Sequence, residues 1–282
     1  MSRNIGDLER DKFWQPNSNT SQLAFEQHTK HYFSLAEGVN NGFSYVNKFG
    51  RVLNYTTSMV DVNDLATPAV YAWLTSAVTL EAISSSSNDA AAGTGARTVV
   101  VQGLDANFEP CEATITMNGT SASTATTQTF IRVHRAYVAT SGTYATTTAG
   151  SHIGNLTIRI SSGGATQIYM PASPAPVGQS NVARYTIPAG KTGYLIHVTF
   201  QASGNKASDF YLWRRFNADT VSAPYGVKRL IEYFSGVVDH LGRDWDVPVK
   251  LPEKTDIWAS ALGAGAGTNG ICTFDLILVD NE

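Results

Sequence analysis

The sequence predicts an all-β protein, a jelly-roll-like antiparallel β-sandwich preceded by an extended, partly helical N-terminal arm. Three observations carry this. Apolar and polar residues alternate with a period of two in several short runs, as in strands with one buried and one wet face. Turn dipeptides and glycine clusters separate those runs at the roughly 8–12-residue spacing of sandwiches. Strand-like and helix-like runs never alternate in the βαβ manner of a parallel sheet.

Residues 1–45 read as an arm and 46–282 as the sandwich domain, its regular strands beginning near residue 70. The arm opens with a polar run (Asp7, Glu9, Arg10, Asp11, Lys12) followed by Phe13-Trp14-Gln15-Pro16. Aromatic side chains in such a non-periodic polar segment serve as anchors on this subunit or a neighbour. A helix over Ser21–Glu37, capped by Ser21 and ended by Gly38, places Phe25, Tyr32 and Ala36 on one face, with Leu23 and Phe33 off it. Residues 42–70 read as turn-rich with scattered aromatics, and Trp73–Ile83 as the first good strand. Ser84–Gly95 is low in complexity, a linker by composition that contacts must order.

The stretch Gly93-Thr94-Gly95-Ala96-Arg97 leads into an apolar run that stops at Gly103-Leu104-Asp105. Cys111–Met117 returns, with Ala113, Ile115 and Met117 alternating against Glu112, Thr114 and Thr116 up to the Asn118-Gly119 turn. Phe130–Val138 sets Ile131 and Val133 against Arg132 and His134. Leu156–Ile160 and Gln167–Met170 flank Ser161-Ser162-Gly163-Gly164, a hairpin signal. The cleanest alternation sets Tyr194, Ile196, Val198 and Phe200 against Leu195, His197, Thr199 and Gln201. Phe210–Phe216, Leu230–Val238, Thr255–Ala259 and Ile271–Val279 complete about ten strands by the same spacing rule. In Phe210–Phe216 the pair Tyr211 and Trp213 faces away from Phe210 and Leu212, so both faces are apolar. Such a strand is buried between sheets or against another subunit.

Charged residues make up 15% of the chain, against roughly 25% in an average domain. Thr, Ser, Ala and Gly fill the difference, a surface suited to extended protein contacts. A net charge of −3 offers no basic stripe for nucleic acid, and no apolar run approaches the ~18 residues of a membrane span. Met1–Lys12 lacks an apolar signal region, which predicts assembly in a cytoplasm. Cys111 and Cys272 read as small buried hydrophobes, with a disulfide between them left open.

No catalytic constellation emerges, and no cofactor or metal is expected. The glycines at 93 and 95 precede a strand and lack the Lys-Ser/Thr of a phosphate loop. The close pair His28 and His31 has no third ligand in view. His134 and His197 sit on polar strand faces, solvated or hydrogen-bonded. Asp239, His240, Arg243, Asp244 and Asp246 read as one solvated or salt-bridged loop. Asp105 reads as a turn cap. The chain is read as non-enzymatic.

Several segments together resemble a group of tailed-bacteriophage virion structural proteins. They are Gly93–Val99 through Gly103-Leu104-Asp105 with Asn118-Gly119-Thr120; Ile187-Pro188-Ala189-Gly190-Lys191-Thr192; Thr255-Asp256-Ile257 with Asp275–Asp280; and Lys48-Phe49-Gly50. The resemblance covers roughly residues 45–282 and rests on turn and strand residues. It implies a β-rich accessory component of a phage virion, on head, neck or tail, assembled in the host cytoplasm. Its partners would be other copies of itself, as a homo-oligomer, and other virion proteins, with neither nucleic acid nor membrane. Candidate interface residues are Phe13, Trp14, Phe25, Tyr32, Phe33, Trp213 and Trp245. The alternative function is a tail- or fibre-associated module that binds receptor glycan, for which exposed aromatics such as those around Trp245 would form the platform.

Overall fold

A computed structural model describes residues 35–38, 42–144, 151–173, 176–204 and 206–281. The chain is nearly all β and every sheet is antiparallel. In order, its strands are β1 (Phe43–Tyr55), β2 (Val60–Asp61), β3 (Leu80–Ser84), β4 (Ala96–Leu104), β5 (Pro110–Thr116), β6 (Arg132–Ser141), β7 (Leu156–Ile160) and β8 (Thr166–Met170). There follow β9 (Arg184–Thr186), β10 (Lys191–Ser203), β11 (Ser208–Arg215), β12 (Arg229–Val237), β13 (His240–Leu251), β14 (Asp256–Gly263) and β15 (Thr268–Asp280). Two four-strand rows, β1-β15-β10-β13 and β12-β11-β14-β2, face each other as one sandwich, with β9 added to β14. Two three-stranded sheets, β3-β7-β8 and β5-β4-β6, make a second sandwich. The second is inserted in the chain between β2 and β9, so the core within 46–282 falls into two apolar clusters.

The first cluster is built by side chains from both rows: Val52, Leu195, Val198, Phe200, Phe274 and Leu276 meet Phe210, Leu212, Ile257 and Ala259. Phe200 and Phe210 stack across the gap at 4.9 Å between ring centres. The second cluster joins Leu80, Ala82, Leu156, Ile158 and Ile168 to Val99, Val101, Ile115 and Val133. Burying each such side chain contributes about 1.5–3 kcal/mol. A small third cluster of Leu104, Phe108, Ile131 and Ala218 ties the two sandwiches together. Cys272 lies in the first cluster and Cys111 packs on the second, both as free thiols. Burial raises both thiols, that of Cys111 to about 12 with Asp105 adding to the effect.

The structure corrects several sequence expectations. Residues 43–55, read as turn-rich, form a 13-residue strand pairing with β15. Its most buried positions are Lys48, Gly50, Val52 and Tyr55, and a lysine and a glycine among them hide the hydrophobic period. A Cβ at Gly50 would overlap Ala183 N and Val62 O, so the backbone there must stay bare. The strand expected over Trp73–Ile83 is confined to Leu80–Ser84, because Trp73 packs its ring on Trp258 at 5.3 Å and Leu74 O accepts from Arg132. Residues 240–246, read as a loop, belong to β13.

The clean alternation of β10 is broken: both of its neighbours skip Ile196, a bulge that turns Leu195 to the same core as Val198 and Phe200. On β13 the register jumps at that point from Val249 to Asp244, leaving Trp245-Asp246-Val247-Pro248 outside the ladder. Of the helix expected over 21–37, residues 21–34 lie outside the described residues, as do His28 and His31.

The low-complexity Ser84–Gly95 segment folds around one carboxylate. Asp89 is fully buried and accepts from Ala96 N (2.8 Å), Ile153 N (2.9 Å), Gly154 N (2.8 Å) and Ser84 Oγ (2.6 Å). A Cβ at Gly95 would overlap Asp89 Oδ1, and one at Gly93 would overlap Asn88 O. The Gly-Thr-Gly stretch is therefore a close-packed lining for that acid. Asp105 caps its turn as expected, its Oδ1 accepting from Asn107 N and Glu109 N.

Candidate functional site

Chemistry-bearing residues gather in two places, a buried seam between the sandwiches and an open side of the first sandwich. At the seam, Arg132 of β6 crosses to β14 and donates to Asp256 through Nε (2.9 Å) and Nη2 (3.2 Å). Asp256 has no exposed surface and also accepts from Thr186 Oγ1 at 2.6 Å and from Arg215. Arg132 further donates to Leu74 O and Ile131 O, and its guanidinium sits 5.1 Å from the Trp73 ring centre. Sequence alternation had Arg132 and His134 on a polar face. That face is polar but dry, since it packs on the other sandwich.

His134 is a bulge residue. Gln102 pairs with Arg135 and Gly103 with Val133, so His134 has no ladder partner. Its freed carbonyl accepts from Lys48 Nζ at 2.6 Å, and its Nε2 accepts from Thr186 N at 3.1 Å. Burial, reinforced by Lys48, Arg184, Arg132 and Arg135, holds the His134 imidazole well below its usual range. Burial, with Arg135 and Arg184 facing it, does the same for the Lys48 amine. Both line an open cleft of about 460 Å³ together with Tyr45, Cys111, Glu112 and Tyr185. The hydrogen bonds of Lys48 and His134 make them struts between β1, β6 and β9, which leaves the cleft without a free reactive group on those two residues. Several residues of the phage-like motifs (Lys48, Gly50, Gly93, Gly95, Asp256) thus serve the architecture.

On the open side, β12 pairs only with β11, and β13 only with β10. The hairpin joining them leaves two sheet edges free along one flank. Tyr211 and Trp213 point outward from β11 with rings 5.5 Å apart and nearly parallel, and Tyr233 of β12 lies 4.8 Å from Tyr211. Lys228 Nζ sits 4.4 Å over the Trp213 ring, and the guanidiniums of Arg214 and Arg229 lie over Phe216. None of these three cations forms a close salt bridge with a carboxylate among the described residues, although the charge of Lys228 acts on Asp61 at longer range. Around them Tyr225 is 63% exposed, Val227 69%, Leu230 46% and Tyr233 41%. Next to the patch, sharing Lys228, is a groove of about 270 Å³ walled by Trp73, Trp258, Val70 and Met59 with Asp61 and Arg215 at its polar end.

Both edge strands carry bulges. β13 carries its four-residue bulge, Pro248 and the charges Arg243, Asp244, Asp246 and Lys250, all features that discourage strand addition. β12 has Arg229 and Glu232 as its only charges, Glu232 is tied to Arg243 at 2.6 Å, and its register against β11 shifts twice, between Val237 and Phe234 and between Glu232 and Leu230. Trp213 is half-buried beside these exposed residues, stacked against Tyr211 with Lys228 over its ring. Trp245 is half-buried in the β13 bulge, packs against the first core cluster and has Arg243 over its ring. Phe13, Trp14, Phe25, Tyr32 and Phe33 lie outside the described residues. Sequence reading passed over Lys228, Leu230 and Tyr233. The available signal was Leu230-Ile231-Glu232-Tyr233-Phe234, apolar at both parities like Phe210–Trp213. His197 and Asp244 pair across the β10–β13 ladder at 2.6 Å. Among the described residues no group of three His, Cys, Asp or Glu side chains is placed to hold a metal, and no helix is long and apolar enough to cross a membrane.

No protein-family model matches the chain, and no curated protein matches it. Among solved structures, the infectious bursal disease virus VP2 subviral particle aligns at 9% identity over 88% of this chain and 76% of that one, with a TM-score of 0.21. The infectious bursal disease virus Gx strain structure aligns at 10% identity over 84% and 75%, with a TM-score of 0.20. Alignments with TM-scores this low carry no argument about fold or function.

Proposed function

We propose that this chain is a non-enzymatic structural component of a phage virion, an accessory protein that decorates or stabilises the capsid or the head–tail region through self-association and arm exchange. The observation that carries the reading is the aromatic and apolar surround of β12, with Tyr225, Val227, Leu230 and Tyr233 exposed, a surface whose burial against a partner is favourable. The sequence resemblance over residues 45–282 points the same way. The non-enzymatic reading draws support from the seam, where Asp256, Arg132, Lys48 and His134 bond to one another or to backbone. Antibody raised against the protein should label purified phage particles in electron micrographs at many sites per particle. Particles that carry none of the protein would overturn the proposal.

A second reading, a tail- or fibre-associated module for receptor glycan, is favoured by the outward Tyr211–Trp213 pair, since sugar rings stack on such faces. It predicts that the isolated protein retains host-surface polysaccharide and that Trp213→Ala abolishes retention.

A further inference from the structure

We propose that the cleft between the two sandwiches, walled by Tyr45, Lys48, Arg135 and Tyr185, is a binding site for a small organic carboxylate.

The cleft lies at the joint between the two halves of the molecule. Its lining comes from β1 and β9 of the first sandwich and from β4, β5 and β6 of the second. Its volume of about 460 Å³ falls inside the roughly 300–1,000 Å³ span of small-molecule sites, which favour such joints.

Two cations reach it by different routes. Strict alternation would send His134 and Arg135 to opposite faces of β6, but the bulge there lets both line the cleft. Lys48 enters from the buried side of β1 and is only 4% exposed. Neither Lys48 nor Arg135 forms a close salt bridge among the described residues. Each donates to one backbone carbonyl: Lys48 to His134 O at 2.6 Å and Arg135 to Asn47 O at 3.0 Å. An ammonium has three donors and a guanidinium five, so both keep donors for a ligand.

The charge at this joint is one-sided. Arg135 and Arg184 act on Lys48 with its own sign and, with burial, hold its amine well below the usual range. The seam acid Asp256 is taken up by Arg132 and Arg215. The acid in the lining, Glu112, is exposed and accepts from Gln102 at 3.3 Å. A carboxylate held by Lys48 and Arg135 offsets their repulsion and forms charge-assisted hydrogen bonds, which are stronger than neutral ones. The body of the ligand meets phenol rings. Tyr185 is fixed 4.4 Å from the His134 ring, and Tyr45 is held by its hydroxyl on Asp275 at 2.6 Å. Those walls favour an organic acid over a bare inorganic anion.

Calorimetry on the full chain tests the site with glucuronate, glutarate, glucose and inorganic phosphate, each up to about 10 mM. We expect at least one of the two acids to bind, phosphate to bind more weakly and glucose not to bind. Binding of glucuronate alone marks the ligand as a sugar acid, and binding of glutarate alone as a plain acid chain. Arg135→Gln alters a half-buried side chain and should weaken the bound acid by about tenfold or more, as should Lys48→Met. Should Lys48→Met fail to fold, Arg135→Gln decides. Amide signals of Asn47 and Arg135 should shift in NMR spectra as the acid is added. No binding of either acid would overturn the proposal. So would binding that Arg135→Gln leaves unchanged, or phosphate or glucose binding as tightly as the better acid.

Discussion

The seam and the open side are made of the same residue types, arginine, tryptophan, tyrosine and carboxylate, yet they do opposite things. At the seam Arg132 stacks near Trp73 and also reaches Asp256, so the cation, the ring and the acid are satisfied inside the chain. On the open side Lys228, Arg214 and Arg229 sit over rings with no close salt bridge among the described residues, and only Lys228 acts on an acid, Asp61, at longer range. Residue type alone does not separate an internal joint from a surface offered to a partner. What separates them is whether the polar set is complete.

Removing the acid at the seam should have the largest effect. Asp256→Ala strands Arg132 and Arg215 without their shared partner, and breaking a buried ion pair on one side costs about 3–5 kcal/mol. A urea titration should show the midpoint falling accordingly. A fall under 1 kcal/mol would mean that water enters the seam and the set is not closed. Next comes Asp89→Ala, which removes the acceptor of three backbone amides and Ser84 Oγ. We expect a loss of about 2–3 kcal/mol. Hydrogen exchange should quicken at Ala96, Ile153 and Gly154 while the first sandwich stays protected.

A pH titration probes the seam more gently. The folded state holds His134 neutral, with its imidazole well below the usual range because of burial and the cations Lys48, Arg184, Arg132 and Arg135. In the unfolded chain the same group takes up a proton near pH 6.5. Between those two values the unfolded state binds more protons, so stability falls as pH drops below about 6.5, by up to about 1.4 kcal/mol per pH unit. Lys48 acts with the same sign from higher pH, where its amine too is held low. His134→Gln, which keeps an acceptor for Thr186 N, should flatten the acid limb between pH 6.5 and 5 and leave the Lys48 contribution in place. An unchanged slope would show that His134 is already protonated when folded.

Much of the fold was legible where one rule governed a segment. The hairpins over Cys111–Met117 and Leu156–Met170 are found where a period of two and a glycine turn predict them. Legibility failed where burial does not mean apolar. β1 was missed because Lys48 and Gly50 stand at its buried positions, chosen for the His134 carbonyl and for close backbone approach. The face of Arg132 and His134 was read as wet because periodicity reports polarity, and only the second sandwich supplies the partners that make it dry. In β10 the bulge at Ile196 reversed the inward set midway, a one-residue event that composition does not mark. The open side was half legible: the two apolar faces of Phe210–Phe216 can be read from the sequence, but not that Lys228 and Leu230 stand beside them.

The smallest expected effect on stability is on the open side, and that smallness sharpens the comparison. Leu230→Lys and Tyr233→Lys alter side chains that are 46% and 41% exposed and, for Leu230, make little use of the core. Surface changes of this kind stay within about 0.5 kcal/mol of the parent. The loss for Tyr233→Lys should be the greater of the two, since its hydroxyl donates to Asp209 at 3.1 Å and its ring lies on Tyr211. Association, in contrast, should respond strongly: light scattering at micromolar concentration should show the variants at lower mass than the parent, because the added ammonium meets the existing Arg214, Lys228 and Arg229 on any surface that covers them. Should both variants unfold by several kcal/mol while their mass in solution stays that of the parent, the patch would belong with the seam, a completed internal set. Stable but dissociated variants would place the unmatched cations and rings of β11 and β12 where their missing acids and apolar cover arrive from another chain.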